Sequence, residues 1–265
     1  MNIVIDKSYL IGADSKSINE ILSQHRLMMS DNLFNEILTS DNDSHIRKCF
    51  SKFPQKENPV DLLPSSGNLI YFEKTYHKSS VPLENHILDK RYEFNSGLCE
   101  DRSAILIKEN VQNTLDEWES TTAQGAIGFA EKASTVCGWL PELKGKENIS
   151  EKEKNSTIRK ISEDVEFIRN VYSSLQKEIL KNEKEEWPVP EIINKEWALF
   201  RYIQFHLIGT FDLFIRQTQQ KKKIFNAYID MDYCILGSLV NGLATRDKTI
   251  MKFYKSICPE KVLFN

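Results

Sequence analysis

Five acidic residues stand where they could do chemistry together. Asp6 closes the apolar, β-branched run NIVID, and Glu36 follows on an early predicted helix. Asp230 and Asp232 begin the segment DMDYCILGSLV, and Asp247 comes after the short strand-like segment LAT. In open α/β sheets, ligands bind beyond the carboxyl ends of the strands, where Asp6 and Asp247 would both lie. We therefore expect these distant acids to meet in the fold.

A cluster of three or four carboxylates needs a counter-charge. Like charges in one site repel each other and raise each other's pKa unless a cation lies between them. Magnesium and manganese ions prefer oxygen ligands such as carboxylates. The sequence therefore predicts a site for Mg²⁺ or Mn²⁺.

Four of these acids also have a purely structural explanation. Asp6 has the position of a helix N-cap after its strand, and Glu36 is an ordinary residue for a helix surface. Asp230 and Asp232 would suit the dipole of a helix if they formed its cap and first turn. Ser8 is open to two interpretations, because it could contact a metal ligand or water, or cap the next helix.

Both ends of the sequence predict alternating strands and helices. We expect strands at 2–6, 27–29, 69–76, 243–245 and 261–264. A helix through Ile18 and Leu22 separates the first two strands, and Ser30 or Asp31 is expected to cap the helix that carries Glu36. Residues 51–68 contain three prolines and a glycine, which predicts a loop.

The middle of the sequence predicts helices from about residue 104 onward. Steps of three and four predict a long helix with one apolar stripe, formed by Ile158, Ile161, Val165, Ile168, Tyr172, Leu175 and Ile179. Ser150 and Glu153 have the spacing of a capping box for it. Residues 196–215 are apolar on nearly every face and predict a central buried helix, in which His206 is expected to be a core histidine.

Composition excludes several classes of protein. The chain has 265 residues, 40% of them hydrophobic, which is enough for one large domain with a core. A net charge of −3 argues against a uniformly basic nucleic-acid coat. The five cysteines form no CxxC pairs, so neither a zinc site nor a disulfide framework is predicted. No signal peptide or apolar run of membrane-spanning length is present, and we expect a cytoplasmic protein without membrane contact.

Four segments resemble, in order, the PIN-like metal-dependent nucleases. VIDKSYL is similar to the family's first strand with its leading Asp, and LFNEIL to its Glu-bearing helix. DYCILGSLV resembles its third-acid helix, and ATRDKTI its fourth-acid step. The resemblance implies an α/β fold with a PIN-like three-layer core around a central parallel sheet. Residues 1–100 and 226–265 would form that core, and residues 101–225 would be a large, mainly helical insertion packed partly on it.

The resemblance also implies a chemistry and its residues. The reaction would be metal-dependent hydrolysis of phosphodiester bonds in RNA, less often in DNA, with Mg²⁺ or Mn²⁺ as cofactor. The implied catalytic residues are Asp6, Glu36, Asp232 and Asp247. The implied metal ligands are the same four and Asp230, which competes with Asp232 for the third acidic position. Arg246, Lys248 and Ser8 would contact the substrate.

A PIN-like scaffold that has lost catalysis and binds proteins is the alternative. A long helical region suits a regulatory protein partner or self-association, and by analogy of fold a toxin or defence effector. Four mutually repelling carboxylates favour the nuclease, since a scaffold has no use for them. The DxD spacing of Asp230 and Asp232 is also similar to haloacid-dehalogenase-type phosphotransferases, but too little chain follows it for the rest of such a site.

Overall fold

The structure is a computed structural model that describes residues 1–40, 43–54, 59–88, 101–138, 149–177, 186–216 and 221–265. Within these ranges five strands are formed: β1 Asn2–Ile5, β2 Arg26–Ser30, β3 Asp61–Leu63, β4 Gly242–Ala244 and β5 Val262–Phe264. They make a parallel sheet in the spatial order β3-β2-β1-β4-β5. The predicted α/β class with a central parallel sheet is confirmed.

The sheet changes direction at its central strand. From β1 the chain moves outward to β2 and β3, and it returns much later to the other side of β1 as β4 and β5. Ile3 pairs with Leu27 on one side and with Gly242 on the other. Ile3, Val4 and Ile5 are fully buried, as expected of a central parallel strand. The carboxyl ends of β1 and β4 are therefore the edge where such sheets bind ligands.

Helices make up most of the remaining described structure. Their bounds are α1 Lys7–Gly12, α2 Ser15–Gln24, α3 Asp31–Leu38, α4 Asp43–Phe50, α5 Ser66–Tyr76, α6 Asp101–Gly138, α7 Glu151–Glu163, α8 Val165–Leu175, α9 Ala198–Arg216, α10 Lys221–Leu239 and α11 Lys248–Ile257, with a 3-10 turn at Leu83–His86. Helix α6 contacts α3, α4, α9 and α10. The middle of the chain is thus packed on the rest, while the predicted domain boundaries stay a prediction.

Two helices build the interior behind the sheet. Helix α10 contacts β1, β2 and β4, and its residues Cys234, Ile235 and Leu236 are buried in the main core. Helix α9 contacts α5, α6, α7, α8 and α10. The prediction of a central buried helix at 196–215 is confirmed by α9. Helix α10 carries two of the five candidate acids, Asp230 and Asp232.

Several local predictions are confirmed by backbone and cap geometry. Strands β1, β2, β4 and β5 lie where the apolar runs predicted them. Ser30 caps α3 by accepting the backbone N–H of Asn32. Ser150 and Glu153 form the predicted capping box of α7. These signals are local, which is why sequence patterns located them.

The strand predicted at 69–76 is wrong, because these residues lie in α5. A short apolar run does not separate strand from helix by itself. Here Glu73, within that run, is buried and accepts hydrogen bonds from the backbone N–H groups of Ser80, Ala198 and Leu199. The third strand forms instead at Asp61–Leu63, inside the stretch expected to be a loop.

The predicted long helix with its apolar stripe is interrupted. Helix α7 ends at Glu163, and Asp164 caps α8 by accepting the N–H of Phe167 at 2.8 Å. On both helices the stripe is buried against α9, in a cluster that includes Ile161, Tyr172 and Phe200. The stripe therefore packs within the chain; Ile179, its last predicted member, lies outside the described residues.

The structure describes the side chains of three cysteines, Cys49, Cys234 and Cys258, and all three are buried free thiols. In the ranges described, no helix is both long and apolar enough to cross a membrane.

Candidate functional site

Asp6 is the buried centre of the candidate site. It follows β1, caps the N-terminus of α1 and is 1% exposed. Its carboxylate accepts hydrogen bonds from the backbone N–H of Tyr9 at 2.7 Å and from the hydroxyls of Ser8 at 2.9 Å and Thr245 at 2.5 Å. Burial raises the pKa of Asp6 to about 6 against the effect of these bonds, and the charge of Asp247 adds to the rise. Because a helix N-terminus favours a negative charge, a cap whose charge is nevertheless disfavoured is a candidate for a functional carboxylate.

Two hydroxyl groups connect the end of β1 with the segment after β4. Ser8 and Thr245 both donate to Asp6, and their oxygens lie 3.1 Å apart. Both oxygens also accept the backbone N–H of Asp247, at 3.0 Å from Ser8 and 3.1 Å from Thr245. The structure thus brings Asp6 and Asp247 together, as their positions at neighbouring strand ends led us to expect.

Asp247 is held in place at the start of α11. Its side chain caps the helix by accepting the backbone N–H groups of Thr249 at 2.7 Å and Ile250 at 3.0 Å. Burial is the main cause of the raised pKa of Asp6 and of Asp230, and the charge of Asp247 raises both values further. Asp247 therefore acts on two other acids while its own carboxylate is partly satisfied by a helix N-terminus.

Asp230 is the acid with the least support from its surroundings. It lies in the middle of α10, where the described residues donate no hydrogen bond to it. Burial, followed by the charges of Glu36, Asp247 and Asp6, raises the pKa of Asp230 well above its usual range, against the favourable charge of Lys7. The interpretation of Asp230 as a cap or first-turn residue is wrong, because α10 begins at Lys221.

Glu36 forms an ion pair that the sequence did not suggest. One carboxylate oxygen lies 2.9 Å from the Lys7 Nζ, and the other accepts the Tyr233 hydroxyl at 2.6 Å. The Lys7 side chain is 34% exposed and that of Glu36 is 20% exposed, so the pair lies at the edge of the site. Lys7 thus adds a fixed positive charge beside the acids, and only its place directly after Asp6 could have signalled it.

Asp232 belongs to a second acidic pair rather than to this site. Residues two apart on a helix face different sides, and Asp232 accepts the Ser30 hydroxyl and the Ser66 backbone N–H, each at 2.7 Å. Burial raises the pKa of Asp232. Burial, followed by the charge of Asp232, raises the pKa of neighbouring Asp31 to about 7. Of the two candidates for the third acidic position, Asp230 is the one that meets Asp6, Glu36 and Asp247.

The three predicted substrate contacts lie in different surroundings. Ser8 is bonded within the chain, as described above. The guanidinium of Arg246 donates to the backbone carbonyl of Gly12 and lies over the ring of Tyr9 at 5.6 Å, so it is turned back onto α1. Lys248 is exposed on the first turn of α11 and faces solvent. Of the three, Lys248 is the side chain most available to a ligand.

Two adjoining depressions open beside the acids. The acidic cavity, about 370 Å³, lies between α9, α10 and α11 and is lined by Asp230 and Asp247. The lysine groove, about 190 Å³, lies between α7, α9 and α11 and is lined by Lys154, Lys248 and Lys252. The two share four lining residues: Ile208, Asp212, Thr249 and Phe253. A ligand at the acids can therefore extend into the groove.

His206 takes no part in this site. Its ring lies against those of Tyr202 and Tyr228, with centroids 3.9 Å and 5.5 Å away. Burial lowers the pKa of His206 to about 3, so the imidazole is neutral. The prediction of a core histidine is consistent with this packing.

The oxygen donors of the site suit a hard divalent cation by type. Among the residues that the structure describes, no group of three or more His, Cys, Asp or Glu side chains could hold a metal ion as arranged. Asp6 and Glu36 direct their oxygens at donors of the chain itself. The strongly disfavoured charge of Asp230, beside Asp6 and Asp247, is the feature that fits a bound cation in chemistry.

Comparisons with known proteins add no relative: no protein-family model, no curated protein and no solved structure matches this chain.

Proposed function

We propose that this protein is a divalent-metal-dependent nuclease with a PIN-like core, which hydrolyses phosphodiester bonds in RNA in preference to DNA. One observation carries the proposal. Asp6, Asp230 and Asp247 come from separate elements and meet where the strand order reverses, and there, beyond the effect of burial, the charge of Asp247 raises the pKa of Asp6 and of Asp230. Because repulsion of this kind destabilises a fold, its presence in a ligand-binding position argues for use in function.

The contacts of each side chain suggest its task. Asp6, Asp230 and Asp247 would bind Mg²⁺ or Mn²⁺. The hydroxyls of Ser8 and Thr245 keep the Asp6 carboxylate oriented, as supporting residues do around metal ligands. The ion would supply a bound water as nucleophile and positive charge for the phosphoryl oxygens.

Lys7 and Glu36 have a different task in this proposal. Glu36 and its hydrogen bond to Tyr233 fix the ammonium group of Lys7 at the edge of the acids. There Lys7 offsets part of the negative charge and contacts a non-bridging oxygen of the substrate phosphate. Since Lys7 already neutralises Glu36, we propose that the site holds a single divalent ion.

The direct test is cleavage of labelled RNA and DNA with Mg²⁺, with Mn²⁺ and with a chelator. We expect metal-dependent cleavage by the parent chain, faster on RNA. Asp6→Asn, Asp230→Asn and Asp247→Asn are each expected to lose about 100-fold or more of the rate, because each removes a charge that would hold the ion.

Asp232→Asn provides the matched control on the same helix. It likewise changes an aspartate of α10 to its amide, but Asp232 bonds to Ser30 and Ser66 outside the site. We expect it to keep metal-dependent cleavage, with melting curves used to correct for any loss of folded protein. Loss of activity in Asp232→Asn with full activity in Asp230→Asn would overturn the assignment of the third acid.

Metal binding can be tested without activity. A ligand that binds only the folded state stabilises it by about 2.7 kcal/mol at 100 times its Kd. Titration with Mg²⁺ or Mn²⁺ should raise the melting temperature of the parent and leave that of Asp230→Asn unchanged. A parent that neither cleaves any polymer nor responds to either ion would refute the nuclease and leave the PIN-like protein-binding scaffold as the better explanation.

A further inference from the structure

We propose that the lysine groove is a binding subsite for the nucleic-acid strand next to the cleaved bond. In this subsite Lys248 and Lys252 hold the neighbouring backbone phosphate, and the nucleotide's base lies on the apolar floor beside Phe253. The inference rests on the proposed nuclease function and adds to it that the substrate is bound as a single strand.

The position of the groove connects it to the acids. Asp247 at the N-cap of α11 lines the acidic cavity, while Lys248 in the first turn lines the groove. Thr249 and Phe253 line both. A chain bound with one phosphate at the acids would therefore cross the start of α11 and reach the lysines with the next phosphate.

The charge of the groove favours a phosphate. Lys248 and Lys252 are four residues apart on α11, so their side chains are neighbours on one helix face. Both residues are exposed, and neither forms an ion pair with any residue in the described ranges. Lys154 faces them from α7, where it lies 3.4 Å from Glu151. Asp212 of α9 also lines the groove, so three lysines face one carboxylate there and the lining is positive in balance.

The floor of the groove favours an exposed base. It is formed by apolar residues of three helices, among them Ile158, Phe211 and Phe253. Phe211 is buried, while Phe253 is partly exposed and so offers ring surface to a ligand. Bases of a single strand stack on such side chains, whereas bases in a duplex are occupied by their own stacking and pairing. The combination of lysines and floor therefore selects a single strand.

The test is a binding titration with fluorescent single strands of about 12 nucleotides, a length within the range of such sites. RNA, DNA and the matching duplex are titrated in chelator, so that no strand is cut, at several salt concentrations. We expect the double variant Lys248→Ala with Lys252→Ala to lose about tenfold in affinity for the single strand. Its salt dependence should also weaken by about 0.7 in log–log slope, because the two lysines neutralise one phosphate and each neutralised phosphate of a single strand contributes about 0.7.

Lys255→Ala is the matched control on the same helix. Lys255 is exposed, lines neither depression and donates to the backbone carbonyl of Lys261. It also removes one positive charge, so an effect of net charge alone would appear in it. We expect unchanged affinity and slope. Both substituted lysines of α11 are exposed, so melting curves of all variants are expected to match.

Each outcome decides the proposal. Equal affinity and slope in the parent and the double variant, or equal loss in Lys255→Ala, would overturn the subsite. Tighter binding of the duplex, or no binding of any strand by the parent, would do the same. An acidic peptide that binds the groove where RNA does not would assign it to a protein partner.

The subsite and the nuclease can fail separately. A parent that cleaves, with a KM unaltered in the double variant, keeps the nuclease and loses the subsite. A parent that binds single strands through the two lysines but never cleaves keeps the subsite and loses the nuclease.

Discussion

Two carboxylates of this protein, one fully buried and one half-buried, lie in contrasting settings. Glu73 on α5 is fully buried, yet it accepts four hydrogen bonds: two from Ser80, at 2.8 and 3.0 Å, and one each from the backbone N–H groups of Ala198 at 2.8 Å and Leu199 at 2.9 Å. Asp230 on α10 receives no hydrogen bond from the described chain and faces other acids. The first arrangement holds a structure together, whereas the second works against it.

The difference shows how a structural acid can be distinguished from a functional one. Burial raises the pKa of both Glu73 and Asp230, so a shifted pKa alone does not separate them. What separates them is the identity of the neighbours. N–H donors at the start of α9 oppose the shift at Glu73, while the charges of Glu36, Asp247 and Asp6 add to it at Asp230. Removing each acid should therefore change stability in opposite directions.

The largest effect is expected from Glu73→Ala. The substitution leaves buried N–H groups at the start of α9 without acceptors, which should lower the free energy of unfolding by about 4 kcal/mol. Urea denaturation followed by circular dichroism measures the change. A loss below about 1 kcal/mol would mean that water or other acceptors replace the carboxylate, and that the start of α9 does not depend on Glu73.

A pH-dependent effect is expected from Asp31, the partner of Asp232. Its folded pKa of about 7 lies above the unfolded value of 3.8, so the folded state binds a proton more tightly. The resulting penalty is fully present above pH 7, and it disappears as the pH falls towards 4. Asp31→Asn should therefore stabilise the fold by about 2 kcal/mol at pH 8 and by little at pH 4. An equal effect at both pH values would contradict this assignment.

A smaller stabilisation is expected from Asp230→Asn in metal-free buffer. Replacing the carboxylate removes its repulsion with the other acids and should raise the free energy of unfolding by about 1 kcal/mol. The same variant is expected to be inactive, so stability and activity would move in opposite directions. Thermal denaturation in chelator measures the first, and destabilisation comparable to that of Glu73→Ala would remove the contrast between the two settings.

The smallest effect is expected from Lys7→Met. The ion pair with Glu36 is partly exposed, so its loss should cost about 0.5 kcal/mol of stability. A double-mutant cycle with Glu36→Gln should recover most of this as coupling. Zero coupling would show that Lys7 does not depend on Glu36 for its position, and the role proposed for the pair would fail.

Sequence patterns were most informative where a short segment and a general rule of the fold class were enough. The juxtaposition of Asp6 and Asp247 followed from two apolar runs and the rule that parallel strands end at one edge. The choice between Asp230 and Asp232 could not be made in this way. It depends on the rotation of α10 about its axis, which is set by packing against β1, β2 and β4. Lys7 and Thr245 escaped notice because neither residue type signals chemistry without its neighbours.

The bond from Thr245 to Asp6 joins residues 239 positions apart. A ribosome makes about 5–20 residues per second, so roughly 10–50 s pass between the synthesis of the two. Until β4 emerges, β1 lacks its neighbour on one side, and Asp6 lacks both Thr245 and Asp247. Any function that needs Asp6, Thr245 and Asp247 together therefore begins only after nearly all of the described chain has been translated.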